Sequence, residues 1–218
     1  MSAVAVIVGA GSGSRFGGDK IFADLAGAPL LAHTVAAFEA SPVIDGIVLV
    51  LRSETATRGE ALAAERGWKK LRAVTVGGAR RQDSVLAGVR RAEADWVLIH
   101  DAARPLVTPE IIERGLEAAR ETGAAIAALP VRDTIKRVEN DRIIATVDRA
   151  RLWAAQTPQV FRTELIELAL ESDRDVTDDA AAVEALGVPV RVFLGSERNL
   201  KVTTAADLAL AEAILRCG

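Results

Sequence analysis

Ala3-Val4-Ala5-Val6-Ile7-Val8 runs directly into Gly9-Ala10-Gly11-Ser12-Gly13-Ser14-Arg15-Phe16-Gly17-Gly18-Asp19-Lys20. A short apolar run that ends in clustered glycines reads as a buried strand followed by a tight turn. Outward from this stretch the same unit recurs. Residues 46–51, 72–76, 96–100, 124–129 and 189–193 are further apolar strand candidates. Between them lie segments of helical period: Leu31, Val35 and Phe38 fall at i, i+4 and i+7, Val85 and Val89 are four apart, and Leu208, Ala211 and Leu215 repeat the stripe near the C-terminus. Asp207, near the start of that last segment, suits the positive end of a helix. Alternation of strand and helix predicts an α/β fold, a mainly parallel sheet covered by helices, and 218 residues suffice for a single domain over 1–218.

Composition narrows the function. Apolar residues make up 50 % and charged ones 26 %, with 27 basic and 30 acidic side chains and a net charge of −3. Whole-chain disorder is excluded, and binding of nucleic acid or an anionic membrane by bulk charge is disfavoured, since both depend on massed Lys and Arg. The single cysteine, Cys217, leaves no disulfide framework and no cysteine-based metal site. The apolar start at residues 3–8 is too short for a membrane span and lacks a basic flank, so the chain reads as cytoplasmic. One stretch departs from the βα rhythm. Residues 131–157 are rich in charge around short β-like pieces, with Asn140-Asp141 as a turn, and read as a hairpin arm. A polar two-stranded ribbon is marginal alone, so a second subunit is the simple support for it.

Three regions hold residues that could do chemistry. The glycine turn at Gly9, Ala10 and Gly11 lets backbone N–H groups converge on an anion, with Arg15 and Lys20 as cations just beyond. It is neither a dinucleotide fingerprint, because Ser14 stands where the third glycine belongs, nor a P-loop, because Asp19-Lys20-Ile21 lacks the spacing and the hydroxyl. His100-Asp101-Ala102-Ala103-Arg104-Pro105 ends a buried strand at the sheet edge where ligands bind. Asp101 there could hold Mg²⁺ beside phosphates, or else cap the next helix or pair with Arg104. Gly77-Gly78-Ala79-Arg80-Arg81-Gln82-Asp83-Ser84 opens a helix. Ser84 could touch a base or sugar, and Asp83 and Ser84 could equally be helix-start residues. Arg149, Arg151 and Lys201 read by themselves as solvated cations, and His33 as a packing or surface residue.

In order and spacing, Gly9-Ala10-Gly11-x-Gly13-x-Arg15, Lys20, Asp83-Ser84-Val85, His100 to Pro105, Val131-Arg132-Asp133-Thr134, Thr157-Pro158-Gln159 and Lys201-Val202-Thr203 resemble the 2-C-methyl-D-erythritol 4-phosphate cytidylyltransferase family. The resemblance spans essentially the whole chain. It implies a Rossmann-like nucleotidyltransferase fold, cytidylyl transfer from CTP to a phosphorylated sugar alcohol, Mg²⁺, and a homodimer whose arms interlock through 131–157. By that resemblance Arg15 and Lys20 stabilise the transition state, and Arg149 and Lys201 position methylerythritol phosphate. Asp101 stands near the metal and the sugar hydroxyls. Ala102, Arg104, Thr134, Thr157 and Thr177 surround the acceptor, with Thr134 and Arg149 supplied by the neighbouring arm. Gly9, Ala10, Gly11, Gly78, Asp83 and Ser84 contact the nucleotide.

The chain departs from the family pattern at four places: Val8-Gly9-Ala10-Gly11 replaces Pro-Ala-Ala-Gly, Asp19 a proline, Ile21 a glutamine and Ala79 an acid. The segment between Arg15 and Lys20 is also short. A ribitol 5-phosphate enzyme shares much of the pattern, and a non-catalytic nucleotide-binding relative would keep the fold without turnover.

Overall fold

The computed structural model describes residues 1–11, 16, 18–172 and 175–217. Arg15, a cation singled out in the sequence, lies outside the described residues. The first strand is β1 (Ala3–Val8), followed after a 3-10 turn at Lys20–Phe22 by a small ribbon, β2 (Asp24–Leu25) and β3 (Ala28–Pro29). Then come α1 (Leu30–Ala40), β4 (Gly46–Leu51), α2 (Ser53–Arg66), β5 (Leu71–Val76), α3 (Arg81–Val89), β6 (Trp96–Asp101), α4 (Pro109–Thr122) and β7 (Ala124–Pro130). The arm is β8 (Ile135–Glu139) and β9 (Arg142–Val147), and the chain returns through β10 (Trp153–Arg162), α5 (Thr163–Leu170), α6 (Asp179–Glu184), β11 (Arg191–Leu194) and α7 (Ala205–Cys217).

The seven-stranded sheet has the order β11-β7-β10-β6-β1-β4-β5. All its pairings are parallel except those of β10, which runs antiparallel to both β6 and β7. Strand side chains alternate between faces, and β1 shows it: Ala3, Ala5 and Ile7 join one core with Phe38 of α1 and Ile111 of α4, while Val4 and Val6 join another with Val85 and Val89 of α3. The helical stripes read from the sequence thus cover the sheet. On the second face Gly88 is where helix and sheet meet most closely, since a Cβ there would sit 2.4 Å from Val6 and 2.6 Å from Val50. A third cluster, with Leu25, Leu30, Val202 and Ala211, seats α7 against the small ribbon. No helix among the described residues is long and apolar enough to cross a membrane.

Chain order sets the binding edge. From β1 the sheet grows through β4 and β5 on one side, and β6 then opens on the other, so the crevice at the carboxyl ends of β1 and β6 is a topological switch point. The glycine turn leaves β1 there and Asp101 ends β6 there, with Val8 paired to Asp101 in register.

The arm forms as expected. Asn140 and Asp141 have φ of 47° and 61°, the two positive values that a tight two-residue hairpin turn requires. Val138, Ile143 and Ile144 on the ribbon are exposed, as is Trp153 at its return. Two expectations need adjustment. Residues 153–157, counted with the arm in the sequence, belong to β10, where Trp153 pairs with Pro130 inside the central sheet. The last strand candidate, at 189–193, is strand only at Arg191–Leu194.

Candidate active site

A cavity of about 460 Å³ opens at the switch point, within the size range of small-molecule sites. Its floor is the glycine turn, with Gly9, Ala10 and Gly11 in the lining. Gly9 is glycine for close approach: a Cβ would lie 2.9 Å from Ile21, 3.0 Å from Leu51 and 3.2 Å from Ala102. Positive φ, the reason expected from the sequence, is found among the described glycines only at Gly27, Gly67, Gly123 and Gly187. Backbone hydrogen bonds from Gly9 N to Val50 O (2.7 Å), from Gly77 N to Leu51 O (2.8 Å) and from Ala102 N to Val8 O (2.9 Å) stitch the three turns together. Gly78, Ala79 and Ser84 line the wall that follows β5.

The lining is electropositive. Among the described residues it holds Lys20, Arg52, Arg80, Arg81 and Lys201 against Asp19, Glu54 and Asp101. Asp101 is the hub. Lys201 reaches its Oδ2 at 2.9 Å, Arg104 the same oxygen at 3.4 Å, and Arg81 its Oδ1 at 3.8 Å. Burial pushes the Asp101 carboxyl up, but Lys201, Arg81 and Arg104 outweigh it and hold the group down at about 2. The alternatives left open for Asp101 divide: it pairs with Arg104, and the next helix is instead preceded by Thr108.

Arg81 is the cavity-lining residue that sequence reasoning passed over. It makes two 2.8 Å hydrogen bonds to the buried carboxylate of Asp179, 98 residues away. Burial opposes charge on Arg81, yet Asp179 and Asp101 keep it firmly protonated. Full burial pushes the Asp179 carboxyl up against the pull of Arg81, and the bidentate fit keeps the pair ionic. The sequence signal was the Asp178-Asp179 doublet at a helix start. Asp178 caps α6 through Ala181 N at 3.0 Å, leaving Asp179 for another task.

His100 is buried with both ring nitrogens engaged. Burial pushes it down to about 4, so it is neutral at pH 7. Its Nε2 donates to the carbonyl of Arg104 at 3.2 Å, which makes Nδ1 the acceptor for the Thr157 hydroxyl at 3.0 Å. That hydroxyl in turn accepts from Asp101 N at 3.1 Å. Thr157, expected near the acceptor, is therefore a buried brace of the Asp101 backbone. It sits where the register of β10 shifts between Ala155 and Gln159, beside a cis Thr157–Pro158 bond. Thr34 steadies the same turn through Ala102 O at 2.9 Å.

Lys201 is set by its own loop. Val202 N bonds Ala103 O at 2.8 Å, and Asp207 accepts from Thr203 N and Thr204 N, both at 2.8 Å, at the start of α7. Arg104 donates to Asn199 O at 2.8 Å, and Asn199 Nδ2 to Thr157 O at 2.8 Å, so the turn, β10 and the Lys201 loop are tied together.

The remaining expected residues fall elsewhere. Asp83 does not line the cavity; its carboxylate accepts from Arg80 N at 3.0 Å and pairs with the Arg80 guanidinium at 2.7 Å, the helix-start alternative. Ala102 is buried beneath the lining and Ala103 takes its place there. Thr177 is exposed just ahead of α6. Thr134 and Arg149 are exposed at the base of the arm, outside this cavity, where Arg149 donates to the carbonyl of Arg132. His33 donates to Leu25 O at 2.7 Å and is structural.

Residues 3–217 match the family model described as IspD, 2-C-methyl-D-erythritol 4-phosphate cytidylyltransferase. The chain belongs to this family. A 2-C-methyl-D-erythritol 4-phosphate cytidylyltransferase of Dehalococcoides mccartyi strain CBDB1 is 46% identical, covering 98% of this chain and 96% of its own. A crystal structure of a 4-diphosphocytidyl-2C-methyl-D-erythritol synthase superposes with a TM-score of 0.86 at 35% identity and covers 98% of both chains. The 2-C-methyl-D-erythritol 4-phosphate cytidylyltransferase of Thermus thermophilus does so with 0.79 at 34% identity, over 97% of this chain and 98% of its own. These relatives match across the sheet and the arm alike, so family membership applies to the whole domain.

Proposed function

We propose that the protein transfers the cytidylyl group of CTP to 2-C-methyl-D-erythritol 4-phosphate, giving 4-diphosphocytidyl-2-C-methyl-D-erythritol and pyrophosphate. The observation that carries this reading, beside family membership, is the cationic cavity at the β1/β6 switch point with Asp101 held ionised at its edge. An acceptor phosphate monoester has a second pKa of about 6 and is largely dianionic at neutral pH, so its oxygen can attack without a general base. The engaged, neutral His100 accords with that. The oxygen attacks the α-phosphorus, the new P–O bond forms as the bond to the β-phosphate oxygen breaks, and pyrophosphate leaves. The barrier is electrostatic, and fixed cations lower it by positioning two anions and taking up the charge that develops. Lys201 holds the acceptor, and Lys20 with Arg15 faces the α-phosphate and leaving group.

Asp101 is the residue to hold a divalent cation. No group of three or more His, Cys, Asp or Glu suited to a metal occurs among the described residues, so the protein offers a carboxylate and not a metal cage. That donor set suits Mg²⁺ arriving with the triphosphate, since Mg²⁺ binds through one or two carboxylates plus substrate phosphates. When bound it supplies charge neutralisation to the triphosphate oxygens.

The protein is a cytoplasmic homodimer in this reading. The exposed Val138, Ile143, Ile144 and Trp153 favour an arm that grips a second copy. Arg149 and Thr134 then complete the neighbour's acceptor site. Verified mixed dimers of inactive Arg149→Ala and inactive Lys20→Ala protomers are expected to recover part of the activity, because one of the two sites regains both cations. No recovery would sink the cross-subunit role.

Pyrophosphate release from CTP and Mg²⁺ with two acceptors tests the whole. Release is expected with 2-C-methyl-D-erythritol 4-phosphate and at least 10-fold less with ribitol 5-phosphate, a discrimination of about 1.4 kcal/mol. The reverse preference, or CTP binding with no release from either, overturns the assignment.

A further inference from the structure

Arg52 follows β4 and projects into the cavity lining beside Lys20. Its partner is Asp19, the residue immediately before Lys20 and one of the positions where the chain departs from the family pattern. Asp19 also starts the 3-10 turn that carries Lys20, its carbonyl accepting from Phe22 N at 2.9 Å. The pair is partly exposed, with side chains 31% and 37% accessible, and exposed ion pairs contribute only about 0–1 kcal/mol. A ligand with several negative charges competes well against one such carboxylate.

We infer that Arg52 is a further polyphosphate-binding residue, and that Asp19 is its resident counter-ion, displaced when the triphosphate enters. The position in the sheet says which phosphates it meets. Asp101 and Lys201 stand at the β6 side of β1, and Arg52 at the β4 side. In-line displacement puts the entering and leaving oxygens on opposite sides of the α-phosphorus. With the acceptor on the Lys201 side, a placement that rests on the function proposed above, the departing pyrophosphate lies toward Arg52 and Lys20. Arg52 also precedes the first turn of α2, whose N-terminus adds positive potential at the same edge. Glu54, the other carboxylate on that side, belongs to that turn and is held first by its own backbone N–H and by Ser53, with a weaker pull from Arg52, whereas the direct ion pair that Arg52 makes is with Asp19.

The exchange predicts opposite signs for the two partners. Arg52→Gln is expected to weaken binding of inorganic pyrophosphate and of CTP about 10-fold by titration calorimetry, on the scale of one hydrogen bond to a charged group. Asp19→Asn is expected to tighten both by about 2-fold to 5-fold, because the competing anion is gone. The double variant should match Arg52→Gln alone. If the pair were only a latch for the Lys20 turn, both single variants would weaken binding alike, and that result overturns the inference. So does unchanged pyrophosphate affinity in Arg52→Gln. Cytidylyl transfer by the wild type with Arg52-independent pyrophosphate binding sinks the exchange alone. Arg52-dependent binding without any transfer sinks the proposed function and leaves the exchange standing.

Discussion

Replacing Lys20 with alanine is expected to lower kcat for cytidylyl transfer by on the order of 10²-fold, with a smaller change in CTP affinity. Lys20 lines the cavity and opens a 3-10 turn whose next two residues, Ile21 and Phe22, are buried. Ile21 packs into the space beside Gly9 that a Cβ would otherwise fill, so the backbone under the lysine is fixed from below. Ile21 therefore acts as an anchor. A preorganised cation acts mainly on charge that develops in the transition state, and losing one such donor raises the barrier by about 3 kcal/mol. Steady-state kinetics on the purified variant, with thermal denaturation to confirm folding, is the measurement. Wild-type kcat in Lys20→Ala would remove Lys20 from the mechanism. Arg15→Ala is expected to behave in the same way.

The largest expected effect on stability is at Asp179. Asp179→Ala removes both 2.8 Å bonds to Arg81 and leaves a half-buried guanidinium without its main counter-ion. Breaking a fully buried pair from one side costs about 3–5 kcal/mol; because Arg81 stays partly in water the cost here is about 2–3 kcal/mol, whereas Asp178→Ala, which removes a helix cap one residue earlier, should cost about 0.5–2 kcal/mol. Urea unfolding of the two variants side by side makes the comparison. Equal midpoints, or a wild-type midpoint for Asp179→Ala, would show that Arg81 finds compensation elsewhere, with Asp101 the nearest candidate at 3.8 Å.

Local signals in the sequence were legible where one element decides the outcome. β1 and β4 follow from unbroken apolar runs rich in Val and Ile, the arm's turn from Asn140-Asp141, and the site's location from a glycine turn and an Asp that leave adjacent strands. What stayed hidden needed partners far apart in the chain. β10 was not read as a central strand because Gln156, Pro158 and Gln159 interrupt its apolar pattern, and a proline argues against a central strand unless a bulge releases it. Only the fold reveals that bulge, and with it the reason for Thr157: its hydroxyl lies between Asp101 N and His100 Nδ1. Gln159 likewise has its task across the sheet, donating to Asp178 and accepting from Ala180 N at the start of α6. The Arg81–Asp179 pair leaves only a faint local trace, the acidic doublet of which one member caps α6, and nothing in the sequence points across 98 residues to Arg81. Asp83 is the converse case, a helix-start residue whose partner, Arg80, lies three positions away in the sequence.

β10 has one more implication. It is a single ten-residue strand, roughly 30 Å of stiff chain, that leaves the base of the ribbon and runs against its two neighbours through the middle of the sheet. Part-way along it grips the amide of Asp101, and further on it holds the start of α6. The protruding hairpin and the brace of the cavity's acidic hub thus share one strand, joined across the bulge between Ala155 and Gln159.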